Sequence, residues 1–259
     1  MKRKKVLISL LVAAVVVCAV CLHNVYTVPV LMYHHIGNGA DKSRLVVSPE
    51  SFERQMRFLT YFGYRFLTLD EYVAMLKENK KPRGRAVVIT FDDGYEDNYL
   101  YAYPVLLKQS IPATIFIVVD WIGQKDIMEW KQVKELSDSS LIEIGSHTMS
   151  HRELTKIPKP QVISELRQSK EILESKLKKE VRYFCYPCGM FDLFIKEMVN
   201  FSGYRGACAT HPGKITALND EFAMRRIRIS RSADNLFVFW AQVSGYYTFF
   251  RDRRLFDSL

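Results

Sequence analysis

Beyond its first two dozen residues, the chain alternates short apolar runs with segments whose apolar residues recur at helical spacing. The runs at 28–33, 86–91, 113–119, 142–145, 183–186, 207–210 and 226–229 are too short for helices and predict buried strands. Between them, 49–62 places Phe52, Met56 and Leu59, with Phe58, on one side of a helix behind Ser48 as N-cap. Helices are also predicted at 69–79, capped by Asp70, and at 98–109, 130–137, 160–178 and 191–201. In the 160–178 segment Ile163, Leu166, Ile172 and Leu173 are expected to face inward. The aromatic stretch 237–250 predicts a packing helix, with a substrate groove or a membrane contact as its other uses. About seven strands separated by helices, with no internal repeat, is the pattern of an α/β barrel, where chemistry collects at the C-terminal strand ends.

The opening segment breaks this pattern. Residues 6–22 are apolar except for Ser9 and follow Lys2, Arg3, Lys4 and Lys5. This run is long for a signal sequence and at the lower limit for a spanning helix, and no small-x-small cleavage site follows it. An uncleaved anchor over 1–27, holding a domain at 28–259 outside the cytoplasm, is the expectation; a cleaved signal is the alternative. The net charge of +9 permits an anionic partner, but no zinc-finger, RRM-like or helix-turn-helix pattern points to nucleic acid. Five cysteines include Cys18 and Cys21 in the apolar run, Cys208, and a Cys185–Cys188 pair that an oxidising compartment would allow to bridge.

Four polar clusters follow apolar runs. Asp92 and Asp93 close 86–91 and precede Gly94. Adjacent carboxylates repel unless a cation lies close, and a turn there would aim them in different directions. His147 and His151 follow 142–145 at i and i+4, a spacing that brings both imidazoles to one face of a helical turn. With one Asp they would make three ligands, leaving positions open as a catalytic metal requires. Arg182 leads into Tyr183, Phe184, Cys185, Tyr186, Pro187, Cys188 and Gly189; an arginine entering an apolar strand needs a carboxylate partner, and Asp92 is the natural one. His34 and His35 end the first run, where a histidine could protonate a leaving amine. Each cluster alone also has an ordinary structural explanation.

Together, in this order, they resemble the polysaccharide deacetylase family, carbohydrate esterase family 4 with its NodB-homology domain. Thr90-Phe91-Asp92-Asp93-Gly94, the His147 to His151 segment and the Arg182 to Gly189 segment match its three motifs, and the resemblance spans roughly 28–230. No Leu-x-x-His motif closes the chain, where the last histidine is His211, followed by Pro212 and Gly213. Leu31-Met32-Tyr33-His34 fits that pattern instead, as in the circularly permuted subgroup that includes poly-β-1,6-N-acetylglucosamine deacetylases. Gly203 to Ser230, with Arg225-Arg226-Ile227, resembles that subgroup's C-terminal portion.

The resemblance implies a distorted (β/α)7 barrel that removes N-acetyl groups from an N-acetylglucosamine-containing polysaccharide outside the cytoplasm. By it, Asp93, His147 and His151 hold a divalent metal, zinc first among candidates. Asp92 is the base, Arg182 orients it, the Tyr186 N–H holds the oxyanion, His34 is the acid, and Tyr186, Pro187 and Gly189 line the substrate. The same motifs serve O-acetyl esterases of xylan type, and a silent carbohydrate-binding protein on this scaffold is the reading from a different class.

Overall fold

Strand β5 (Ala86–Phe91) is buried along its whole length, and the sheet is built outward from it. The computed structural model describes residues 25–37, 45–210 and 220–248, with isolated positions 10, 14, 15, 17 and 251. On one side of β5 lies β1 (Val30–Tyr33). On the other, β4 (Arg65–Leu67) pairs with its first half and β6 (Ala113–Ile117) with its second. The sheet runs on through β7 (Ile142–Ser146), β8 (Tyr183–Cys185) and β9 (Gly206–Ala209) to β10 (Met224–Arg225). Its opposite flank ends beyond β1 at β11 (Ile227–Arg228). All these pairings are parallel. The two edge strands are separated in sequence by Arg226 alone, so the chain itself crosses the seam of a nearly closed barrel. A separate pair joins β2 (His35–Ile36) to β3 (Val46–Val47).

Period-two alternation divides the strands into two apolar sets. Leu31, Tyr33, Val87, Ile89, Phe91, Ile115, Ile117, Phe184, Ala207 and Ala209 pack with the helices. Val30, Ala86, Val88, Phe116, Tyr183, Cys185, Cys208 and Met224 form the second cluster, inside the barrel. Around it stand α1 (Pro49–Tyr61), α2 (Leu69–Lys77), α3 (Tyr103–Gln109), α4 (Trp130–Asp138), α5 (Lys159–Leu177), α6 (Leu193–Phe201) and α7 (Leu236–Val243). The interior is narrow enough that β7 must carry glycine opposite Phe116: a Cβ on Gly145 would lie 2.4 Å from Phe116 Cδ1.

Several expectations are met, and others are corrected. Ser48 caps α1, its side chain accepting from the Ser51 N–H. The cap of α2 is Thr68, in a reciprocal capping box with Glu71; Asp70 is drawn away to Arg182. The 98–109 segment opens with a π-turn at Asn98–Ala102 before α3, because Pro104 has no N–H for a regular helical bond. Leu166 and Leu173 face inward on α5 as expected, but Val162, Ser169 and Leu177 complete its buried stripe in place of Ile163. The single strand expected at 226–229 is two short pairings broken at Arg226, and β4 has only one fully buried residue to signal it. Of 237–250, the stretch ending at Val243 is helical.

Apart from isolated positions, the apolar run 6–22 with Cys18 and Cys21 lies outside the described residues, as do His211, Pro212 and Gly213. Among the described residues no helix is long and apolar enough to cross a membrane. Cys185, Cys188 and Cys208 are free thiols, so the bridge allowed by the Cys185–Cys188 spacing is not formed.

The Gly145–Phe116 contact yields a stability prediction. Gly145→Ala should destabilise the domain by about 1–3 kcal/mol, because the fully buried ring has no room to move. The shift in chemical-denaturation midpoint measures it; an unchanged midpoint contradicts this account of the interior.

Candidate active site

The inward face of β5 runs Ala86, Val88, Thr90 and then Asp92, one residue past the strand end. Asp93 follows with φ +74 and Gly94 with φ +78. Two successive left-handed residues turn the chain sharply, which lets adjacent carboxylates diverge as their sequence required. A Cβ on Gly94 would also come within 2.9 Å of Ile117 Cδ1.

The two carboxylates have opposite electrostatic fates. Asp92 is gripped at both oxygens by Arg226, at 2.6 Å and 2.7 Å. The guanidinium is buried and also donates to Thr90 Oγ1 at 3.2 Å and to Cys185 Sγ at 2.9 Å. Burial alone would raise the Asp92 carboxyl, but the Arg226 charge and hydrogen bonds overcome it and hold Asp92 well below the usual carboxylate range. Asp93 has no such cation. Burial and the neighbouring Asp92 charge push it up to about 7, and its Oδ1 is buried without a hydrogen-bond partner. A hydrogen bond from Tyr95 steadies the same carboxylate.

What faces Asp93 Oδ1 is two imidazoles: His147 Nε2 and His151 Nε2 each lie 3.5 Å from it. Nδ1 of His147 is 2.7 Å from the Cys185 carbonyl, which can only accept. That nitrogen therefore carries the proton and Nε2 presents a lone pair. Burial pushes His147 down to about 3 and lowers His151 as well, so neither ring is a ready cation. Two imidazole nitrogens and a carboxylate oxygen thus converge with no fixed positive charge among them, and these atoms lie within 4.8 Å of one another. The donor set, two imidazole nitrogens and one carboxylate oxygen, fits zinc and its neighbours. Asp92, His147 and Cys185 are equally close together, but that cluster already contains its cation, Arg226. Of the two clusters, Asp93, His147 and His151 are therefore the residues that could hold a metal ion.

The two histidines do not share a helical turn. They sit on a loop after β7 in which Thr148 and His151 have φ +71 and +58. Glu165 on α5 pins the loop, accepting from the N–H groups of Met149 and Ser150 at 2.9 Å and 3.0 Å and from the Ser150 hydroxyl. Thr148 Oγ1 accepts from the His151 N–H at 2.9 Å. The i, i+4 spacing is thus met by a tethered loop, and Glu165, which fixes His151 from a distant helix, has no signature near the motif.

Arg182 is not the partner of Asp92. It stands before the first residue of β8, bonded to Glu143 at 2.8 Å and to Asp70. Cys185, at the other end of that strand, is the residue that touches Asp92, at 3.6 Å. Three residues at about 3.3 Å each separate the two ends, so Arg182 closes the bottom of the barrel. Arg226 takes the role expected of Arg182. The signal for it was a charge set among Met224, Ile227 and Ile229, in a segment whose neighbours are core residues.

Tyr186 also departs from expectation. Its N–H goes to the Cys208 carbonyl at 3.1 Å and its hydroxyl to the Phe222 carbonyl at 2.9 Å. Pro187 and Gly189 are buried, and the Gly189 N–H returns to the Tyr186 carbonyl. Gly189 packs on Thr210, where a Cβ would fall 2.7 Å away. These three residues build the turn, and the Tyr186 and Gly189 N–H groups are both taken up within the fold. Cys188 lies between them, exposed and at φ +57, and among the described residues no acceptor is found for its N–H. His34 lies beside Asp92 and Arg226 with Nδ1 buried and unpartnered, and burial lowers it to about 4. His35 instead bonds Asp97 at 2.8 Å and stacks on Tyr95.

Known proteins resemble this chain in sequence and in fold. The model of the family described as "Polysaccharide deacetylase" matches residues 79–207. The Bacillus subtilis protein YxkH, named for the same family, is 37% identical over 202 residues, covering 78% of this chain and 71% of its own. The poly-β-1,6-N-acetyl-D-glucosamine N-deacetylase of Staphylococcus aureus is 30% identical over 200 residues, 72% of this chain and 69% of its own. The deacetylase PplD of Streptococcus pyogenes, solved in complex with acetate, superposes with a TM-score of 0.73 at 28% identity, covering 81% of this chain and 96% of that one. The chain belongs to the polysaccharide deacetylase family and is a deacetylase-type hydrolase. His34 and Arg226 both fall outside the stretch that the family model matches.

Two predictions follow from the pairings. Arg226→Ala strips a buried carboxylate of its partner and should lower kcat at least about a hundredfold. Arg182→Ala should change kcat less than about threefold while lowering the denaturation midpoint; comparable kcat losses in the two variants would contradict the assignment. Because His34 is held near 4 in the fold against 6.5 for the free side chain, burial of its neutral form costs stability as pH falls from about 6.5 toward about 4. His34→Gln should make the measured loss of stability across that window shallower, and an unchanged slope would contradict the burial.

Proposed function

We propose that this protein removes N-acetyl groups from an N-acetylglucosamine-containing polysaccharide outside the cytoplasm, using a divalent metal. The observation that carries the proposal is the unneutralised convergence of Asp93, His147 and His151 beside a carboxylate kept ionised by Arg226. The choice of polymer is supported by the Staphylococcus aureus relative, whose name gives poly-β-1,6-N-acetyl-D-glucosamine as its substrate. Export is supported by the basic residues Lys2 to Lys5 ahead of the apolar run 6–22, with membrane anchoring as its form.

Asp93, His147 and His151 would hold the ion, zinc by donor chemistry, which supplies Lewis-acid polarisation and water activation when bound. Asp92 accepts the proton of the attacking water; Arg226 keeps it available as a base by opposing its protonation in a buried setting. The Cys188 N–H is the donor that the turn after β8 offers to a developing oxyanion. His34 delivers a proton to the departing amine. Since burial keeps His34 neutral near pH 7, the proton it gives must be acquired within the site, and Asp92 is the charged neighbour that favours its protonation.

Acetate release from a β-1,6-linked N-acetylglucosamine oligomer, with chitin oligomers, peptidoglycan and acetylated xylan as comparators, tests the function. Zinc-loaded protein should act on the first of these. Asp92→Asn should keep the metal and lose at least about a hundredfold in turnover, and His147→Ala should lose metal and turnover together. Wild-type rates in Asp92→Asn contradict the base assignment, and activity confined to xylan contradicts the N-deacetylase reading.

A further inference from the structure

Trp121 lies beside the metal cluster and has no part in the chemistry derived above. It closes the 3-10 turn Val119–Trp121, just past the C-terminal end of β6 and so on the catalytic face of the barrel. Its ring meets that of His151 with centroids 5.0 Å apart and planes tilted by 37°. His151 in turn meets His147 edge-on at 4.7 Å. The turn cannot drift from the cluster, because its backbone is bolted to the histidine loop. The Val119 N–H donates to the Thr148 carbonyl at 3.2 Å, and the Asp120 N–H to the Met149 carbonyl at 2.8 Å. Gln124 closes the turn from beyond, its N–H donating to the Trp121 carbonyl and its side chain to the Asp120 carbonyl, at 2.8 Å and 2.7 Å.

A large aromatic held rigidly at a catalytic rim and still part-exposed presents an apolar face and a polar edge to the same ligand. A pyranose ring has the matching surface, with C–H groups on its faces and hydroxyls around its edge. Because the indole touches a proposed metal ligand, a sugar resting on it is a neighbour of the reacting acetamide. We propose that Trp121 is a sugar-binding platform that seats one N-acetylglucosamine ring of the polymer beside the metal centre. This deepens the proposed function and rests on it for the identity of the sugar. The alternative role is a prop that only holds the His151 ring, which would make the residue matter equally for every substrate.

Three measurements on the full chain separate these. Trp121→Ala should raise KM for the N-acetylglucosamine oligomer about tenfold or more, with kcat changed less than about threefold. Its hydrolysis of 4-nitrophenyl acetate and its zinc content should stay within about twofold of wild type, and Trp121→Phe should recover most of the oligomer affinity. An unchanged oligomer KM overturns the proposal. So does a loss of ester hydrolysis and zinc in step with oligomer turnover, which marks a prop. Oligomer binding, followed by isothermal titration calorimetry without turnover, keeps the test independent of the reaction. If wild type binds the oligomer without deacetylating it and Trp121→Ala loses that binding, the platform stands and the N-deacetylase reading fails. Absence of oligomer binding in wild type overturns the platform.

Discussion

Two adjacent carboxylates at the end of one strand, given counter-charge in two different ways, set the terms for everything around them. Asp92 receives a permanent cation from the chain itself, through the bidentate bond to Arg226. Asp93 receives none, and faces two imidazoles that burial disfavours as cations. Leaving that arrangement buried is costly unless a mobile cation completes it. The difference between a fixed and an exchangeable positive charge separates the proposed base from the proposed ligand.

The barrel explains how the fixed charge arrives. Arg226 is the single residue between the two edge strands, where the sheet would otherwise lie open. One side chain at that point reaches inward to Asp92, Thr90 and Cys185 together, and so ties the seam to β5 and β8. Closure of the fold and ionisation of Asp92 thus depend on the same guanidinium. The interior alternation that carries Ala86, Val88 and Thr90 to Asp92 also carries Tyr183 to Cys185, so neighbouring strands deliver their polar ends to one place.

Much of this was legible in the sequence, because strands announce themselves by apolar runs and the catalytic groups follow those runs at once. Asp92, Asp93, His147 and His151 converge as their motifs implied, and His34 stands beside Asp92. What escaped were the interactions between segments distant in sequence. Arg182 and Arg226 both flank short strands, and only the topology tells which end of the barrel each reaches. Glu165 acts on a loop from α5, some fifteen residues beyond the histidines it steadies. Tyr186 matched a motif letter for letter, yet the register of β8 against β9 takes its N–H for the sheet. Spacing encodes which residues are chemically suited; pairing and register decide which of their atoms remain free.

The central claim is that an exchangeable cation belongs to Asp93 and the two histidines, and not to the neighbouring cluster of Asp92, His147 and Cys185. Anomalous diffraction at the zinc edge from crystals grown with zinc decides it. The account predicts a single peak on the barrel face, about 2.0–2.2 Å from Asp93 Oδ1, His147 Nε2 and His151 Nε2, with the Arg226–Asp92 pair intact. A peak bound to Cys185 Sγ and Asp92, with Arg226 displaced, or no ordered zinc at either cluster, would contradict it.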